Sequence, residues 1–290
     1  MEHLLLLSFH ILKGAQMQNG FYSAAGGMVA QFSRLDNITN NLANLNTNGY
    51  KRQDLVIGDF VRLYQEKRDE LSLDNNTKEA AKFTHRTVAR VPQVIQGYND
   101  MSIGSFQQTS NTFDAALKEK NLFFAVLTPD GVKLTKDGAF TLDDQGVLVT
   151  KQGHQVLPAD YFKNGNFIKF NVDSTNVELD KNGKFSYLVP GDSTFIPGSE
   201  LLLVEPENMN MLKSAGDNLF SADSSDMFTA VKGSGAVSQG FLEKSNVNAI
   251  RSMVGMIETQ RLVGMYQKAM DTQMNEMNRE AIDKIASTRA

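Results

Sequence analysis

The first periodic segment of the chain runs from Phe21 to Leu45 and has the spacing of a helix. Its apolar and small residues are separated by four, three, four, three and seven positions. This is the narrow stripe of a heptad repeat rather than the broad face of a globular helix. The stripe consists of Phe21, Ala25, Met28, Phe32, Leu35 and Leu42, extended by Ile38 and Leu45. Asn48-Gly49 is expected to end the helix, because both residues tolerate the left-handed conformation.

The opposite side of this helix is crowded with asparagine, at residues 37, 40, 41, 44 and 46. Asparagine is a mediocre helix former, so we expect the helix to need a partner for stability. A polar position between identical helices can also specify their register. The sequence therefore favours a helix that works in an assembly.

Residues 51–112 show no sustained period, and we assign no secondary structure there. Phe60 to Tyr64 is apolar, Glu66 to Lys82 is charged with a loop expected near Asp74, and Val88 to Met101 has short extended runs around Pro92. We treat 51–108 as a linker or extended connecting region.

From Leu122 onward the hydrophobic period changes from helical to two, which is typical of strands. Strand candidates alternate with glycine-bearing turns every seven or eight residues between Phe123 and Gly153. Further turn signals are Asn164-Gly165 and Asn182-Gly183, and Leu201 to Val204 is another strand candidate. The pattern predicts a β-meander.

Phe241 to Ala290 returns to the helical period, with Asn246 or Asn248 as the predicted N-cap. A second heptad stripe, rich in methionine, consists of Met256, Val263, Met270 and Met277, with Tyr266, Met274 and Ala281 beside it. The chain has no Gly or Pro after Gly264, so one unbroken helix is expected. Methionine is flexible and fits several neighbours, which favours a helix with more than one partner over a plain core helix.

These patterns predict an α+β chain. We expect its long N- and C-terminal helices to pair in a coiled-coil-like core, either with each other or with those of other copies. A central β-rich domain, an all-β meander, is expected between them in sequence. The predicted divisions are 1–16 as an extension, 17–50 as the N-terminal helix of the core, 51–108 as the connecting region, 109–232 as the β-rich domain, 233–245 as a return segment and 246–290 as the C-terminal helix of the core.

The first sixteen residues contain a short apolar run from Leu4 to Leu12. The run is too short to span a bilayer, which needs about 20 apolar residues. It also lacks the basic head and small-residue cleavage site of a signal peptide. We expect Met17 to be the natural start and residues 1–16 to come from an upstream start assignment, with a genuine, weakly hydrophobic extension as the alternative.

Composition narrows the function classes. The 29 basic and 33 acidic residues give a net charge of −4, which excludes a strongly basic nucleic-acid binder and a polyacidic disordered chain. The absence of cysteine excludes a disulfide scaffold, a thiolate metal site and a cysteine nucleophile. With no tryptophan and four scattered histidines, we expect no cofactor, no bound metal and no nucleic-acid partner.

An enzymatic interpretation finds no suitable constellation of residues. The chain has no nucleophile elbow, phosphate-binding loop or dinucleotide fingerprint. His85 and His154 have no acid at metal-ligand spacing and are interpreted as surface or turn residues. Asp180-x-Asn182-Gly183 lacks the final glutamate of a calcium loop, so a hairpin turn is expected there, as at Asp143-Asp144. We predict that the protein is not an enzyme.

Three groups of residues carry a more specific signal. The N-terminal group is Phe21-Tyr22-Ser23-Ala24-Ala25-Gly26-Gly27-Met28, Leu35 to Asn44 and Asn46-Thr47-Asn48-Gly49-Tyr50-Lys51-Arg52. The C-terminal group is Gln239 to Asn248 and Met256-Ile257-Glu258-Thr259-Gln260-Arg261. The central group is Thr109-x-Asn111-x-x-Asp114-x-Ala116-Leu117, Phe123-Phe124-x-Val126, Asp137-Gly138-x-Phe140 and Gly216 to Phe220. From Met17 to about Gln273, the chain resembles the flagellar axial proteins, and within them the basal-body rod proteins.

The resemblance implies a structural subunit of the bacterial flagellar basal-body rod, a drive shaft that transmits torque from motor to hook. It implies a helical homo-oligomer, contacts with other rod and hook proteins, and delivery by the flagellar type III export apparatus. The expected location is the rod in the periplasmic space, reached without a cleaved signal peptide and without membrane insertion. The long segment 51–108 slightly favours the distal over the proximal rod, while Leu262 to Tyr266 departs from the alanine-tyrosine-glutamate run common in the family.

Two alternatives remain at this stage. One is a hook-type or other flagellar axial subunit, whose β region would usually be much longer. The other is an extracellular β-rich adhesin, which would need a secretion signal and more repeats. The residues predicted to form subunit interfaces are Met28, Phe32, Leu35, Ile38, Asn41, Leu42 and Asn44 in the first helix, and Met256, Ile257, Gln260, Val263, Met270 and Met277 in the last.

Overall fold

The computed structural model describes residues 2–59, 92–170, 175–188, 194–209, 212–221, 228–233 and 235–287. The apolar segment 60–64, the charged segment 66–82 with its expected loop, and His85 lie outside the described residues. Of the extended runs predicted for 88–101, residues 92–101 are described, and they contain a strand that begins at Pro92.

Two long helices stand at the two ends of the chain. Helix α1 spans Glu2–Ala43 and helix α3 spans Ala249–Ser287. Helix α1 begins well before Phe21 and includes the segment expected to be an extension. It ends a few residues before Gly49, which has a φ of +66° as the predicted left-handed stop requires. Helix α3 begins directly after Asn248 and is unbroken, as predicted.

A short helix, α2 (Tyr161–Asn164), interrupts the strands and ends at Gly165 in the left-handed conformation. The strands are β1 (Gln53–Asp59), β2 (Pro92–Asn99), β3 (Phe106–Gln108), β4 (Ala115–Leu117), β5 (Phe123–Thr128), β6 (Gly131–Thr135), β7 (Phe140–Leu142), β8 (Leu148–Thr150), β9 (Gln155–Val156), β10 (Thr175–Leu179), β11 (Lys184–Leu188), β12 (Ile196–Glu200), β13 (Leu203–Pro206), β14 (Lys213–Ser214), β15 (Leu219–Ser221), β16 (Phe228–Val231), β17 (Val237–Gln239) and β18 (Phe241–Glu243). The chain is therefore α+β, with a β-rich region between two terminal helices, as predicted.

The largest sheet among the described residues has nine strands. Its main path runs β14-β15-β6-β5-β9-β8-β7, while β13 pairs with both β5 and β16. The predicted hairpins β5-β6 and β7-β8 are present and antiparallel. The prediction of a simple meander was wrong, because β5 takes β9 and β13 as partners besides its sequence neighbour β6.

Strand β5 holds the central position because both of its faces are apolar. Phe124 and Val126 belong to one buried cluster, together with Phe140, Leu148 and other residues. Phe123 and Ala125 belong to a second cluster on the other face of the strand. A strand that is buried on both faces is stable in the interior of a sheet, not at its edge.

Four smaller sheets complete the described strands: β10-β11-β12, β1-β2, β17-β4 and β18-β3. The turn at Asp180 to Gly183 joins β10 to β11, since the amide of Gly183 donates to the carbonyl of Asp180 at 2.9 Å. This is the hairpin predicted there.

In the parts of the chain that the structure describes, no cluster of three or more His, Asp or Glu side chains could hold a metal ion.

The chain divides into two compact units. The first contains residues 1–40, 54–98 and 250–290, and therefore most of both long helices. The second contains residues 41–53 and 99–249, and therefore the sheets that follow β2. None of the described helices is both long enough and apolar enough to span a membrane.

Candidate functional site

Within the first unit, α1 and α3 come close together at glycine positions. A Cβ added to Gly27 would lie 2.6 Å from Cε1 of Tyr266, so the tyrosine ring occupies the space that a larger residue would fill. Gly20 lies similarly against Gln273. Gly20 is seven residues before Gly27 on α1, whereas Gln273 is seven residues after Tyr266 on α3. Eleven residues beyond the Gly27 contact, a Cβ on Gly255 would lie 3.6 Å from Cδ1 of Ile38. The two helices therefore run antiparallel where they touch.

On α3 the less exposed residues repeat every seven positions. One row is Met256, Val263, Met270 and Met277, and the other is Ser252, Thr259, Tyr266 and Gln273. Val263 is 8% exposed and Thr259 only 1%, while the three methionines are half-buried. We call the side of α3 that carries these two rows, together with the side of α1 that carries Gly20, Ala24, Gly27, Gln31 and Ile38, the in-chain seam.

Most of the in-chain seam on α1 lies one residue before the predicted stripe, and only Ile38 belongs to both. Ala24, Gly27 and Gln31 are buried, whereas Phe32 of the predicted stripe is 42% exposed. Small residues allow two helix axes to approach closely, so the contact side of α1 is marked by size rather than by hydrophobicity. The predicted interface residues Met28, Leu35, Ile38 and Leu42 are half-buried.

Each long helix also exposes an apolar face. The outward face of α1 consists of Tyr22, Val29 and Phe32, and the outward face of α3 consists of Ile250, Met253, Val254 and Ile257. These seven side chains are between 42% and 77% exposed. Predicted interface residue Gln260 is exposed as well. Large apolar groups left in water on one helix face mark a protein interaction surface.

The second unit contains a buried polar junction where the N-terminal and C-terminal motifs meet. Asn41, 3% exposed, donates from Nδ2 to the carbonyl of Gln53 at 2.7 Å and accepts from the Gln53 amide at 2.9 Å. Its Oδ1 also accepts from the hydroxyl of Tyr50 at 3.1 Å, and burial raises the pKa of that hydroxyl. Predicted interface residue Asn41 is thus used inside the chain, and Asn44 accepts from the hydroxyl of Thr47 in the following turn.

Asn246 connects two other segments of the junction, the one at Arg52 and the one from Asp100 to Ser102. Its Oδ1 accepts from the amide of Arg52 at 2.7 Å, and its Nδ2 donates to the carbonyl of Asp100 at 2.7 Å and to Ser102. The Arg52 guanidinium lies 3.2 Å from the Asp100 carboxylate. Burial alone would raise the pKa of Asp100, but hydrogen bonds from Ser102 and the cations of Arg52 and Lys51 outweigh it and lower that pKa.

A buried ion pair lies at the centre of the junction. The ammonium of Lys51 is 2.5 Å from Oε1 of Glu243, and both side chains are 1% exposed. Lys51 also donates to the carbonyl of Ser102 at 2.8 Å, and the amide of Gly104 donates to Glu243 at 2.8 Å. Removing one partner of such a pair typically costs about 3–5 kcal/mol, because the other charge is left buried alone.

Gly49 explains why the N-terminal motif carries glycine at this point. Its φ of +66° favours glycine, and an added Cβ would lie 2.5 Å from the carbonyl carbon of Lys136. The Gly49 amide donates to the carbonyl of Glu243 at 2.8 Å, and the Lys244 ammonium donates to Oδ1 of Asn48 at 3.0 Å. The Asn48-Gly49 turn is therefore held on both sides by the C-terminal motif.

Lys136 is a second buried cation beside the junction. Its ammonium donates to the carbonyl of Glu119 at 2.8 Å and lies 4.7 Å from the centre of the Phe123 ring. Burial lowers the pKa of Lys136 to about 7; the Lys51 cation adds to the shift, while Glu243 and Glu119 oppose it. The buried positions of Lys51, Glu243 and Lys136 were not predicted from the sequence, in which Lys51 and Glu243 are 192 residues apart.

Three family models match the chain, and two of them include residues of this junction. The model of the flagella basal body rod protein matches residues 21–51, and the flagellar basal body rod FlgEFG protein C-terminal model matches residues 238–283. The flagellar hook protein FlgE/F/G D1 domain model matches residues 121–187. The first two spans cover α1 from residue 21 onward, α3 as far as residue 283, and both partners of the buried ion pair.

Curated relatives extend the likeness over most of the chain. The flagellar basal-body rod protein FlgG of Buchnera aphidicola is 31% identical over 252 residues, covering 85% of this chain and 92% of that protein. FlgG of Borreliella burgdorferi is 30% identical over 89% of this chain and 96% of that protein. FlgF of Caulobacter vibrioides is 29% identical over 93% of this chain and 98% of that protein.

The fold and these likenesses define a structural protein of the bacterial flagellum, not an enzyme. The chain belongs to the flagellar basal-body rod protein family. Members of this family are structural components of the basal body and serve motility. Membership in the family confirms the resemblance inferred from the sequence and argues against the adhesin alternative.

Proposed function

We propose that this chain is a subunit of the flagellar basal-body rod that polymerises helically into a drive shaft transmitting torque from motor to hook. The observation that carries the proposal is the pair of outward apolar faces on α1 and α3, which the in-chain seam leaves in water. Burying apolar area between copies stabilises the polymer by roughly 25 cal/mol per Å². Assembly of copies would bury both faces and is therefore energetically favourable.

The two outward faces are different from each other, which favours an open polymer. A contact between unlike surfaces generates a helical filament when its rotation does not close into a ring. We propose that the outward face of α1 in one copy packs near the outward face of α3 in another. The heptad spacing of both helices suits coiled-coil-like packing around a common axis.

The predicted interface residues take different places in this proposal. Phe32, Ile257 and Gln260, which are exposed, are proposed to contact other copies directly. The half-buried residues Met28, Leu35, Ile38, Leu42, Asn44, Met256, Met270 and Met277 are proposed to bridge the seam and the neighbouring copy. Val263 and Asn41, which are buried, are proposed to support the interface from inside the chain.

The resemblance to the family supports a proposal about the wider setting. We propose that the rod subunit contacts other rod and hook proteins, lies in the periplasmic space and is delivered by the flagellar type III export apparatus. The distal rod is favoured over the proximal rod, because the segment 51–108 between α1 and the β-rich region is long. Relatives named FlgG and relatives named FlgF both match the chain at similar identity, so copy number is the discriminating quantity.

Charged substitutions on the outward faces test the proposal. Phe32→Asp or Ile257→Asp places a carboxylate in the proposed interface, and each should lower incorporation into basal bodies at least tenfold and abolish motility. A tenfold change corresponds to about 1.4 kcal/mol, less than the burial of one such side chain contributes. The measurement is immunoblotting of purified hook–basal bodies together with swimming assays.

Phe162→Asp provides the matched control. Phe162 lies on α2 in the second unit and is 61% exposed, so its replacement introduces the same charge away from both outward faces. It should incorporate and swim like the wild type, and far-ultraviolet circular dichroism should show all three variants equally folded. Normal rods in the Phe32→Asp and Ile257→Asp strains would contradict the proposed interface.

A further inference from the structure

A polar cleft of about 470 Å³ opens on the second unit. Lys169, Lys184 and Lys232 line it and come from three separate parts of the chain: the segment before β10, strand β11 and the residue after β16. Lys184 lies opposite Glu200 in the β11-β12 register, yet the two side chains form no ion pair. Within the described ranges, none of the three ammonium groups has an ion-pair partner.

Three cations line one cleft of a chain whose net charge is −4. Like charges that converge in a concave site repel each other and raise the local concentration of anions. The cleft therefore offers a binding site for acid groups.

The same cleft contains two carboxylates, those of Asp160 and Glu200. They would repel a small, compact anion that filled the cleft, but they accept hydrogen bonds from hydroxyl groups. The Tyr187 ring adds an apolar surface. It lies beside Gly198, where an added Cβ would stand 3.4 Å from Cε1 of the ring, so the strand next to it presents bare backbone. The best match to this set is a ligand with acid groups, several hydroxyls and a flat apolar face.

We propose that the cleft binds an acidic saccharide. The lysines bind its acid groups, the two carboxylates accept from its hydroxyls, and one sugar face rests against Tyr187. The acid group is a carboxylate or a phosphate ester, and separate ligands distinguish these two sources. The site belongs to the second unit alone and does not depend on the proposed rod function.

Isothermal titration of the full chain tests this site. The ligands are tetragalacturonate, a phosphorylated tetrasaccharide and neutral maltotetraose. At least one acidic ligand should bind ten times more tightly than maltotetraose, and its identity names the acid group. The triple variant Lys169→Gln, Lys184→Gln, Lys232→Gln should weaken that binding at least tenfold.

The matched control changes the same number of charges outside the cleft. Lys118→Gln, Lys120→Gln, Lys181→Gln alters three exposed lysines of the same unit and should leave the affinity unchanged. Equal binding of the neutral and acidic saccharides would overturn the proposal. So would equal weakening by both triple variants, or equally tight binding of tetraglutamate, which carries the charge of an acidic peptide without sugar hydroxyls.

Discussion

The surroundings of Lys136 set the pKa of its ammonium group. Its side chain is 1% exposed, and its ammonium has a carbonyl and an aromatic ring as neighbours rather than a direct carboxylate partner. Burial disfavours the charged form and lowers the pKa of Lys136 from 10.5 to about 7. The unfolded chain keeps the ordinary value, so between these two pH values the unfolded state binds more protons than the folded state.

This difference predicts that stability rises with pH. Because the unfolded state holds the extra proton, the free energy of unfolding should increase from about pH 7 toward pH 10.5. A shift of this size corresponds to about 5 kcal/mol when complete. Chemical denaturation at pH 7, 8 and 9 should show the increase in the wild type.

Lys136→Met separates this effect from the titration of other groups. Methionine has a similar length and no ionisable amine, so the variant should lose most of the increase between pH 7 and pH 9. Its stability at pH 7 should stay close to that of the wild type, since the cost of burying the cation disappears with the hydrogen bond to Glu119. Parallel pH profiles for the two proteins would show that Lys136 does not titrate in this range.

Residues whose roles depend on their sequence neighbours could be predicted more easily than residues whose partners are far away in the chain. Asn48-Gly49 and Asn182-Gly183 were recognised as turns, because their conformational preferences act within a few residues. The Lys51–Glu243 pair could not be predicted, since its partners are 192 residues apart and each alone looks like a surface charge. The role of Asn41 was also missed, because asparagine on a helix gives no sign of which backbone groups it will meet.

At the scale of elements, both long helices and most hairpins could be predicted from hydrophobic period and turn residues. The side of α1 that contacts α3 could not. Hydrophobic patterning weights large apolar residues, whereas the in-chain seam uses Gly20, Ala24 and Gly27. The pairing of β5 with β9 and β13 could likewise not be predicted from the sequence, because the partner strands come from distant parts of the chain.

Cysteine cross-linking tests the division between the in-chain seam and the outward faces. The natural chain has no cysteine, so introduced pairs react without background. Ile38→Cys with Gly255→Cys should give an intramolecular product with a short thiol cross-linker, since these positions touch within the chain. The products are read from their migration on denaturing gels.

The comparison pair is Phe32→Cys with Ile257→Cys, which places one thiol on each outward face. In assembled rods this pair should give ladders of linked copies, and in dilute purified protein it should give little product. Ladders from the seam pair alone, or an intramolecular product from the outward pair alone, would show that the two surfaces have been assigned the wrong way round.

At the scale of the whole molecule, the two family motifs converge on one hydrogen-bonded junction in the second unit. The chain passes between its two units four times, near residues 41, 54, 99 and 250. Near each crossing, one residue is hydrogen bonded in the junction: Asn41, Gln53, Asp100 and Asn246, respectively. Fixing the chain at these points is consistent with the proposed role in the rod.

The central claim is that this chain is built into the rod, and quantitative mass spectrometry of purified hook–basal bodies tests it most directly. Peptides of the chain should be present at a fixed ratio to known rod components in wild-type particles. A high ratio is the result expected for the proposed distal position, and a low ratio is the result expected for a short proximal segment. Absence from basal bodies, with abundant protein in the cytosol or the medium, would contradict the account.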